Sequence, residues 1–203
     1  MNEKITKVLD EIWALDLEQQ ELEKIHGDKH FDFSDRIISI GPDTGRLLYL
    51  LARLSGAKKF LEVGTSYGYS TLWLGVAAME NGGRVYTFEV EPKKIARAKR
   101  NFEKAGLAQV ITQIDGDFVN EMGKLDILDV DFVFIDALKD DYPKYFDAAF
   151  PFLRKNGLII ADNMEYPPHF REAADVYRKH IGNYPVITQP LSIGWGLELT
   201  VKK

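Results

Sequence analysis

The feature that most constrains the fold is an alternation, between Lys58 and Ile181, of short apolar runs with longer segments of helical pattern. Five of these runs are predicted strands: KKFLEV, RVYTFEV, QVITQID, VDFVFID and GLIIAD. Runs such as FVFI are continuously apolar, which is typical of a parallel sheet covered by helices on both faces. The alternation therefore predicts a doubly wound α/β fold.

The two ends of the chain depart from this central pattern. Residues 3–25 and 42–56 have the spacing of two amino-terminal helices. The carboxyl-terminal stretches YPVITQPL and GWGLELTVKK leave no room for a crossover helix, so they should pair antiparallel. We expect a single domain over residues 1–203, with a mostly parallel seven-stranded sheet ending in a hairpin. Residues 1–56 would act as a lid, form a dimer contact or pack on the core.

Composition excludes several classes of protein. The chain has no cysteine, which removes disulfides and thiolate chemistry and fits a reducing cytoplasm. Its first residues lack an apolar signal core, and no segment approaches the roughly 18 uninterrupted apolar residues of a membrane span. The formal net charge of −5 argues against a nucleic-acid partner. We therefore expect a cytoplasmic protein.

The first predicted strand runs into a glycine-rich turn, EVGTSYGYS, from Glu62 to Ser70. Gly64 and Gly68 allow a tight turn and the close approach of a ligand, and Ser70 is placed to cap the next helix. In open α/β sheets, ligands bind at the carboxyl ends of the strands. The turn therefore favours a nucleotide-like ligand, although glycines also serve simply to close such turns.

Acidic residues narrow the class of ligand. Glu89 ends the second strand about 20 residues beyond the turn, where a carboxylate can bind ribose hydroxyls. A dinucleotide site needs Gly-x-Gly-x-x-Gly, which Gly64-Thr65-Ser66 breaks, and Glu62 would repel a phosphate. An acid here suits an amino-bearing ligand such as the methionine part of S-adenosylmethionine. Asp117, after the third strand, could bind the adenine amino group or be an ordinary turn carboxylate.

Polar side chains also follow the fourth and fifth predicted strands. These are Asp136 and the pair Asp162-Asn163, which should meet at the same edge of the sheet. An all-oxygen set of this kind suits Mg²⁺, Mn²⁺ or Ca²⁺, although Asp136 alone could merely cap a helix. Lys139 could be a surface lysine. Beside a divalent cation, however, its neutral amine would be favoured and could act as a general base.

With these residues assembled, the sequence resembles the cation-dependent O-methyltransferase family, which includes catechol O-methyltransferase and caffeoyl-CoA O-methyltransferase. The resemblance runs from about Ser39 to Lys203. LEVGTSYGYSTLWL looks like the family's first motif, and FEVEPKKIARAKRNFEKAGL looks like its ribose-binding strand and helix. The block from DFVFIDALKDDYPKYFDAAFPFL to GLIIADN is similar to its metal-binding region. The resemblance implies a Rossmann-like methyltransferase fold.

The resemblance also implies a role for each matching residue. Metal ligands would be Asp136, Asp162 and Asn163, and Lys139 would be the catalytic base. The implied contacts to S-adenosylmethionine are Ile40, Glu62, Gly64, Tyr67, Gly68, Ser70, Glu89, Asp117, Asp136 and Ala137. We also expect a homodimer.

The departures from the family pattern concern the acceptor. Leu138 and Trp195 stand where relatives often have Asp, and Tyr166-Pro167 lies where many have Trp-Asn-Gly. Leu138, Tyr166, Pro167 and Trp195 could line an aromatic acceptor pocket or simply pack. We find no counterpart of the acid that binds the second hydroxyl in the catechol enzyme. Glu198 is the nearest acid, and we expect it inside a strand.

The predicted activity is divalent-cation-dependent methyl transfer from S-adenosylmethionine to a hydroxyl of a catechol-like or other hydroxylated aromatic small molecule. Two alternatives stay open at this point. The first is methylation of a hydroxylated tRNA nucleoside, for which the basic run between Lys93 and Arg100 would bind RNA. The second is a binding protein that holds S-adenosylmethionine without turnover. A dehydrogenase is the weakest alternative because its glycine pattern is missing.

Overall fold

The computed structural model describes residues 1–27 and 31–203. The described strands are β1 (Lys59–Val63), β2 (Arg84–Glu89), β3 (Ile111–Asp115), β4 (Val130–Ile135), β5 (Leu153–Ala161), β6 (Val186–Leu191) and β7 (Leu197–Lys202). The described helices are α1 (Glu3–His26), α2 (Gly41–Leu54), α3 (Tyr69–Asn81), α4 (Pro92–Ala105), α5 (Phe118–Met122), α6 (Tyr142–Ala149) and α7 (Arg171–Ile181). Short 3₁₀ turns at Lys139–Asp141 and Pro168–Phe170 lead into α6 and α7.

The strands form one sheet in the order β3-β2-β1-β4-β5-β7-β6. Strands β1 to β5 are parallel, whereas β7 pairs antiparallel with both β5 and β6. The doubly wound, mostly parallel sheet and its antiparallel carboxyl end are therefore confirmed. The strand order reverses between β1 and β4, and this switch point is where open α/β sheets bind ligands.

Side chains alternate between two cores, one on each face of the sheet. Phe60 and Phe132 face a core that includes α1 to α4, and their rings lie 5.6 Å apart. Leu61 and Val133, each one residue further along, face the second core with α5 to α7. All four are fully buried. This double burial explains why the central strands are continuously apolar.

The amino-terminal helices lie against the first core. α1 begins after Asn2, whose side chain accepts a hydrogen bond from the Ile5 amide at 3.0 Å. Its buried apolar residues are Ile5, Val8, Leu9 and Ile12, at the predicted spacing. Among the helices that the structure describes, none combines the length and apolar character needed to cross a membrane.

One predicted helix is shorter than its pattern indicates. The segment DYPKYFDAAFPFLRK was expected to continue to Lys155, but α6 ends at Ala149. Pro151 cannot donate the backbone hydrogen bond that a longer helix would need. Leu153 is buried and pairs with Val130, so these residues form the start of β5 instead.

A buried carboxyl lies on α1 where the apolar residues of the helix end. Asp16 is 1% exposed and accepts a hydrogen bond from Gln20 Nε2 at 3.1 Å. Burial raises the pKa of Asp16 from 3.8 to about 6, although Gln20 and Ser39 oppose the rise. The folded chain therefore binds this proton more tightly than the unfolded chain. Asp16 accordingly makes the protein less stable as the pH rises from about 4 to about 6.

Replacing this carboxyl should remove that pH dependence. We expect Asp16→Asn to raise the free energy of unfolding above pH 7 by on the order of 2 kcal/mol, and by much less near pH 4. Urea denaturation of both proteins at the two pH values measures the difference. A difference that is the same at both pH values would contradict this account.

Candidate functional site

The ends of four parallel strands are joined one residue beyond the strands themselves. The joining backbone hydrogen bonds run from the Gly64 amide to the Phe88 carbonyl (3.1 Å), from Asp136 to Val63 (2.9 Å) and from Asp162 to Ile135 (3.1 Å). These bonds place Gly64, Asp136 and Asp162 on one edge of the sheet, beside the end of β2. The sequence predicted this meeting of residues, and the edge is the candidate active site.

The glycine-rich turn requires its glycines for steric reasons. Gly64 has φ +98°, and a Cβ there would lie 2.2 Å from the Asp136 carbonyl oxygen. Gly68 has φ +87°, and a Cβ there would lie 2.4 Å from the Phe102 ring. The turn therefore packs its bare backbone against the loop after β4 on one side and against α4 on the other.

The structure corrects the predicted role of Ser70. The N-cap of α3 is Gly68, and its left-handed backbone starts the helix at Tyr69 without a side-chain cap. Ser70 therefore lies inside the first turn, where it is buried and helps to lower the pKa of Glu62. Ser70 is not a cap because the glycine at position 68 starts the helix two residues earlier than predicted.

Glu62 lies beneath the turn rather than in it. It belongs to β1, is fully buried, and its Oε2 accepts hydrogen bonds from the hydroxyls of Thr71 and Thr87. Burial raises the pKa of Glu62 to about 7, and the hydroxyls oppose the rise. Its Oε1 atom is buried and has no hydrogen-bond partner in the described part of the chain. Glu62 thus retains an acceptor for a cationic group.

Glu89 is held rigidly at the end of β2. Its Oε2 accepts a hydrogen bond from the Ser66 amide at 2.8 Å, and its Oε1 accepts from the amides of Val90 and Glu91 at 2.9 and 3.0 Å. Asp117 lies at the end of the neighbouring strand, where it is the N-cap of α5 and accepts from the Asn120 amide at 3.2 Å. Both carboxylates border the predicted nucleoside position.

Asp136 and Lys139 form a largely buried ion pair after β4. Lys139 Nζ lies 2.7 Å from Asp136 Oδ1, and the two side chains are only 10% and 11% exposed. The ammonium also lies 5.2 Å from the centre of the Tyr142 ring and 5.9 Å from that of Phe170. The sequence analysis missed Phe170, since only the 3₁₀ turn before α7 brings that ring to Lys139.

Asp162 and Asn163 follow β5 and are both buried. Burial raises the pKa of Asp162 to about 8 and the nearby Asp136 adds to the rise, against Lys139. Asp162 Oδ1 has no hydrogen-bond partner among the described residues. Asn163 Nδ2 donates to the Tyr166 carbonyl at 3.1 Å, which leaves the amide oxygen for another partner. A cation at this edge would favour the ionised form of Asp162 and give its Oδ1 atom a partner.

The chemistry of this set fits a hard cation, with one restriction. Among the described residues, no three His, Cys, Asp or Glu side chains come together as a metal site. The predicted set contains only two such residues, Asp136 and Asp162, and its third ligand is the amide of Asn163. An oxygen set of this size leaves coordination positions for water and for an acceptor, as Mg²⁺ prefers.

Of the predicted acceptor residues, Tyr166 contacts Asn163 and Trp195 contacts Tyr166. Leu138 and Tyr166 are 62% and 55% exposed, and the rings of Tyr166 and Trp195 are 6.4 Å apart. The Trp195 carbonyl accepts hydrogen bonds from the amides of Glu165 and Tyr166, both at 3.0 Å, which joins the two loops. Pro167 follows Tyr166 in the same loop.

Glu198 does not belong to this surface. As expected it lies within a strand, β7, where it is 1% exposed. Its Oε2 lies 2.8 Å from Arg178 Nε, and Thr188 donates to its other oxygen. Both carboxylate oxygens therefore have partners inside the fold, and Glu198 is not available to bind an acceptor hydroxyl.

The remaining predicted donor contacts lie in two parts of the fold. Ile40 is buried at the N-cap of α2, and Ala137 is half-buried next to Gly64. Tyr67 lies in the turn itself, and its hydroxyl donates to the Asp35 carbonyl at 3.4 Å. Tyr67 and Ala137 therefore lie at the glycine-rich turn, whereas Ile40 is placed in the first core.

The basic run on α4 is largely engaged within the chain. Lys93 forms an ion pair with Asp35 at 2.7 Å, and Lys94 is buried with its ammonium 3.9 Å from the centre of the Phe33 ring. Arg97 lies over the ring of Tyr67. Because these contacts occupy three of the predicted RNA-binding cations, this surface gives the RNA alternative no support.

This architecture defines a class of protein: an α/β fold of the nucleotide-binding type with an acidic strand edge. The O-methyltransferase family profile matches residues 17–189. The chain therefore belongs to the O-methyltransferase family.

Individual relatives agree with this assignment. The chain is 40% identical over 130 residues to a catechol O-methyltransferase of Niastella koreensis, covering 63% of this chain and 58% of that protein. It is 35% identical over 127 residues to a catechol O-methyltransferase of Mycobacterium tuberculosis, covering 63% of this chain and 57% of that protein. These alignments thus span less than two thirds of either relative.

A solved structure extends the similarity over the whole fold. The O-methyltransferase from Bacillus cereus in complex with SAH has a TM-score of 0.76 and 28% identity, covering 97% of this chain and 91% of that chain. The agreement supports the Rossmann-like methyltransferase fold that the sequence motifs implied.

The close approach at Gly64 can be tested against a matched glycine. Gly82 also has a left-handed backbone, at φ +69°, but a Cβ there would meet nothing within 4 Å. We expect Gly82→Ala to cost about 1 kcal/mol of stability from backbone strain alone. Gly64→Ala should cost about 2 kcal/mol more because it also collides with the Asp136 carbonyl. Chemical denaturation measures both, and equal losses would contradict the steric argument.

Proposed function

We propose that this chain transfers a methyl group from S-adenosylmethionine to a hydroxyl of a catechol-like or other hydroxylated aromatic small molecule, with the help of a divalent cation. The observation that carries the proposal is the buried acidic edge after β4 and β5. There Asp162 retains a buried oxygen without a partner among the described residues, next to the Asp136–Lys139 ion pair. Membership of the O-methyltransferase family supports the reaction class.

The donor would lie across the glycine-rich turn. Glu89, already oriented by three backbone amides, keeps a lone pair on Oε2 for a ribose hydroxyl. The unpartnered Oε1 of Glu62 offers an acceptor towards the amino end of the donor. Asp117 uses one oxygen as the α5 cap and keeps the other for the adenine amino group. This arrangement extends the donor from Glu62 towards Asp117.

The cation would be held by Asp136, Asp162 and Asn163, and Mg²⁺ is the first choice for such ligands. When bound, it supplies positive charge that stabilises the oxyanion of an acceptor diol. The chain's own residues fit this assignment. The like charges of Asp136 and Asp162 oppose each other, and burial keeps the pKa of Asp162 near 8. A cation would remove this conflict.

Lys139 would move the proton. The ammonium would first release a proton to solvent, and the neutral amine would then accept the proton of the reacting hydroxyl. The hydroxyl oxygen would form a bond to the methyl carbon as the carbon–sulfur bond of the donor breaks. The sulfur retains the electron pair of that bond, and S-adenosylhomocysteine leaves. The Lys139 side chain is only 10% exposed, and the nearby rings of Tyr142 and Phe170 would limit the access of water to the amine. The neighbouring rings of Tyr166 and Trp195 would offer an aromatic acceptor an apolar surface, to which Pro167 and the exposed Leu138 would add.

The choice of acceptor rests on this apolar surface. The two curated relatives named above are catechol O-methyltransferases, which favours a small aromatic diol. A homodimer and a cytoplasmic location stay predictions from the sequence.

The role of Lys139 has a matched control on the same face of the fold. Lys144 forms a similar ion pair three residues from Asp141, at 2.6 Å, but its side chain is 70% exposed. We expect Lys139→Ala to lower kcat by about 100-fold or more with little change in donor affinity, because only the general base is lost. Lys144→Ala should retain full activity. Labelled methyl transfer to a catechol panel and calorimetry with S-adenosylhomocysteine measure these quantities.

Removing metal tests the cation directly. We expect excess EDTA to abolish methyl transfer, and added Mg²⁺ to restore it. Asp162→Ala should lose this metal response while still binding S-adenosylhomocysteine. Full turnover in EDTA would overturn the cation-dependent mechanism.

A further inference from the structure

One face of helix α1 faces the rest of the protein along the whole helix, but the residues on that face change halfway from apolar to polar. Ile5, Val8, Leu9 and Ile12 are apolar and buried in the first core. The same stripe then continues, three or four residues at a time, as Asp16, Gln19, Gln20 and Glu23. An amphipathic helix that only packed on the core would continue this stripe with apolar residues. The second half of α1 therefore faces something other than the core.

Residues 31–40, which we name the strap, lie opposite this polar half. The strap contains neither helix nor strand, so its backbone groups need side-chain partners where they are shielded from water. The side chain of Gln19 is the partner of two of these backbone groups. Its Nε2 donates to the Asp35 carbonyl at 2.9 Å, and its Oε1 accepts from the Ile37 amide at 2.7 Å.

A second contact from α1 fastens the same part of the strap. Arg36 reaches Glu23 through two nitrogens, with Nε 2.7 Å from Oε1 and Nη2 3.0 Å from Oε2. This fork is partly shielded, since the Glu23 side chain is 15% exposed. The amide of Gln19 and the carboxylate of Glu23 together hold residues 35–37 against the helix.

The other side of the strap contacts the predicted donor site. Tyr67, in the glycine-rich turn, donates its hydroxyl to the Asp35 carbonyl at 3.4 Å. Lys93 and Lys94, in the first turn of α4 after Glu89, contact Asp35 and the Phe33 ring. The strap ends in the buried residues Ser39 and Ile40, at the start of α2. It therefore lies between α1 and the glycine-rich turn.

We propose that Gln19 is a positioning residue for the donor site. By pairing with both the Asp35 carbonyl and the Ile37 amide, it fixes the strap in one register and so holds Asp35 against Tyr67 of the glycine-rich turn. The role rests on the proposed function, because it assumes that S-adenosylmethionine binds at that turn. An apolar side chain at position 19 would extend the apolar stripe but remove the Gln19 partner of the Ile37 amide, and it would leave the Asp35 carbonyl with the longer bond from Tyr67.

The test compares two glutamines that both bind backbone. Gln109 Nε2 donates to the Gly106 carbonyl at 3.0 Å, beyond the far end of α4, so Gln109→Leu is the matched control. We expect Gln19→Leu to weaken binding of S-adenosylhomocysteine about tenfold in calorimetry. Amide hydrogen exchange in residues 36–40 should rise, and Gln109→Leu should change neither quantity. Gln19→Glu keeps an acceptor for the Ile37 amide, so its affinity for S-adenosylhomocysteine should lie between those of wild type and Gln19→Leu. If Gln19→Leu does not fold, Gln19→Glu takes its place in the test.

Kinetics separate positioning from general damage to the fold. A positioning role raises KM for the donor and leaves kcat at saturating donor unchanged, whereas partial unfolding would lower kcat alone. Wild-type affinity in folded Gln19→Leu or Gln19→Glu would overturn the role of Gln19 and leave the proposed function standing. A wild-type chain that fails to bind S-adenosylhomocysteine would overturn both.

Discussion

The site depends on the backbone hydrogen bonds that join the carboxyl ends of β2, β1, β4 and β5 just beyond the strands. They bring Gly64 so close to the Asp136 carbonyl that only glycine can occupy position 64. The same bonds set Asp162 next to Asp136 and the glycine-rich turn next to Glu89. The glycine-rich turn and the acid-bearing loops thus share one rigid frame, and rigid placement of reacting groups is the main way such a site could accelerate a transfer.

This frame holds carboxyl groups in places where burial disfavours their charged form. Glu62 and Asp162 are almost completely buried, and burial raises the pKa of each, to about 7 and about 8. Each also keeps a carboxylate oxygen without a partner in the described residues. Unpaired buried acceptors lower the stability of the folded chain. In the proposed function, the donor and the cation would complete the interactions of these oxygens, and binding sites commonly depart from the rules of stable packing in this way.

Much of the fold and of the site could be predicted because the signals were local. The helical spacing of α1, the continuously apolar strands and the crossover-free carboxyl end each correspond to one physical requirement. Predictions from the sequence were wrong where a neighbouring residue decided the local structure. Ser70 was expected to cap α3, but the left-handed backbone of Gly68 started the helix earlier. The segment after Ala149 became strand because Leu153 pairs with Val130. Phe170 near Lys139 had no signal in the sequence.

The sequence by itself determined the doubly wound sheet, the glycine-rich turn and the order of acidic residues along the strand ends, since strand and turn patterns depend on nearby residues. Only the tertiary structure decided how those residues are used. It buried Glu62 beneath the turn, paired Lys139 with Asp136, and engaged Glu198 with Arg178. It also directed the polar half of α1 to the strap rather than to the core. These outcomes depend on contacts between residues distant in the chain, which no local pattern encodes.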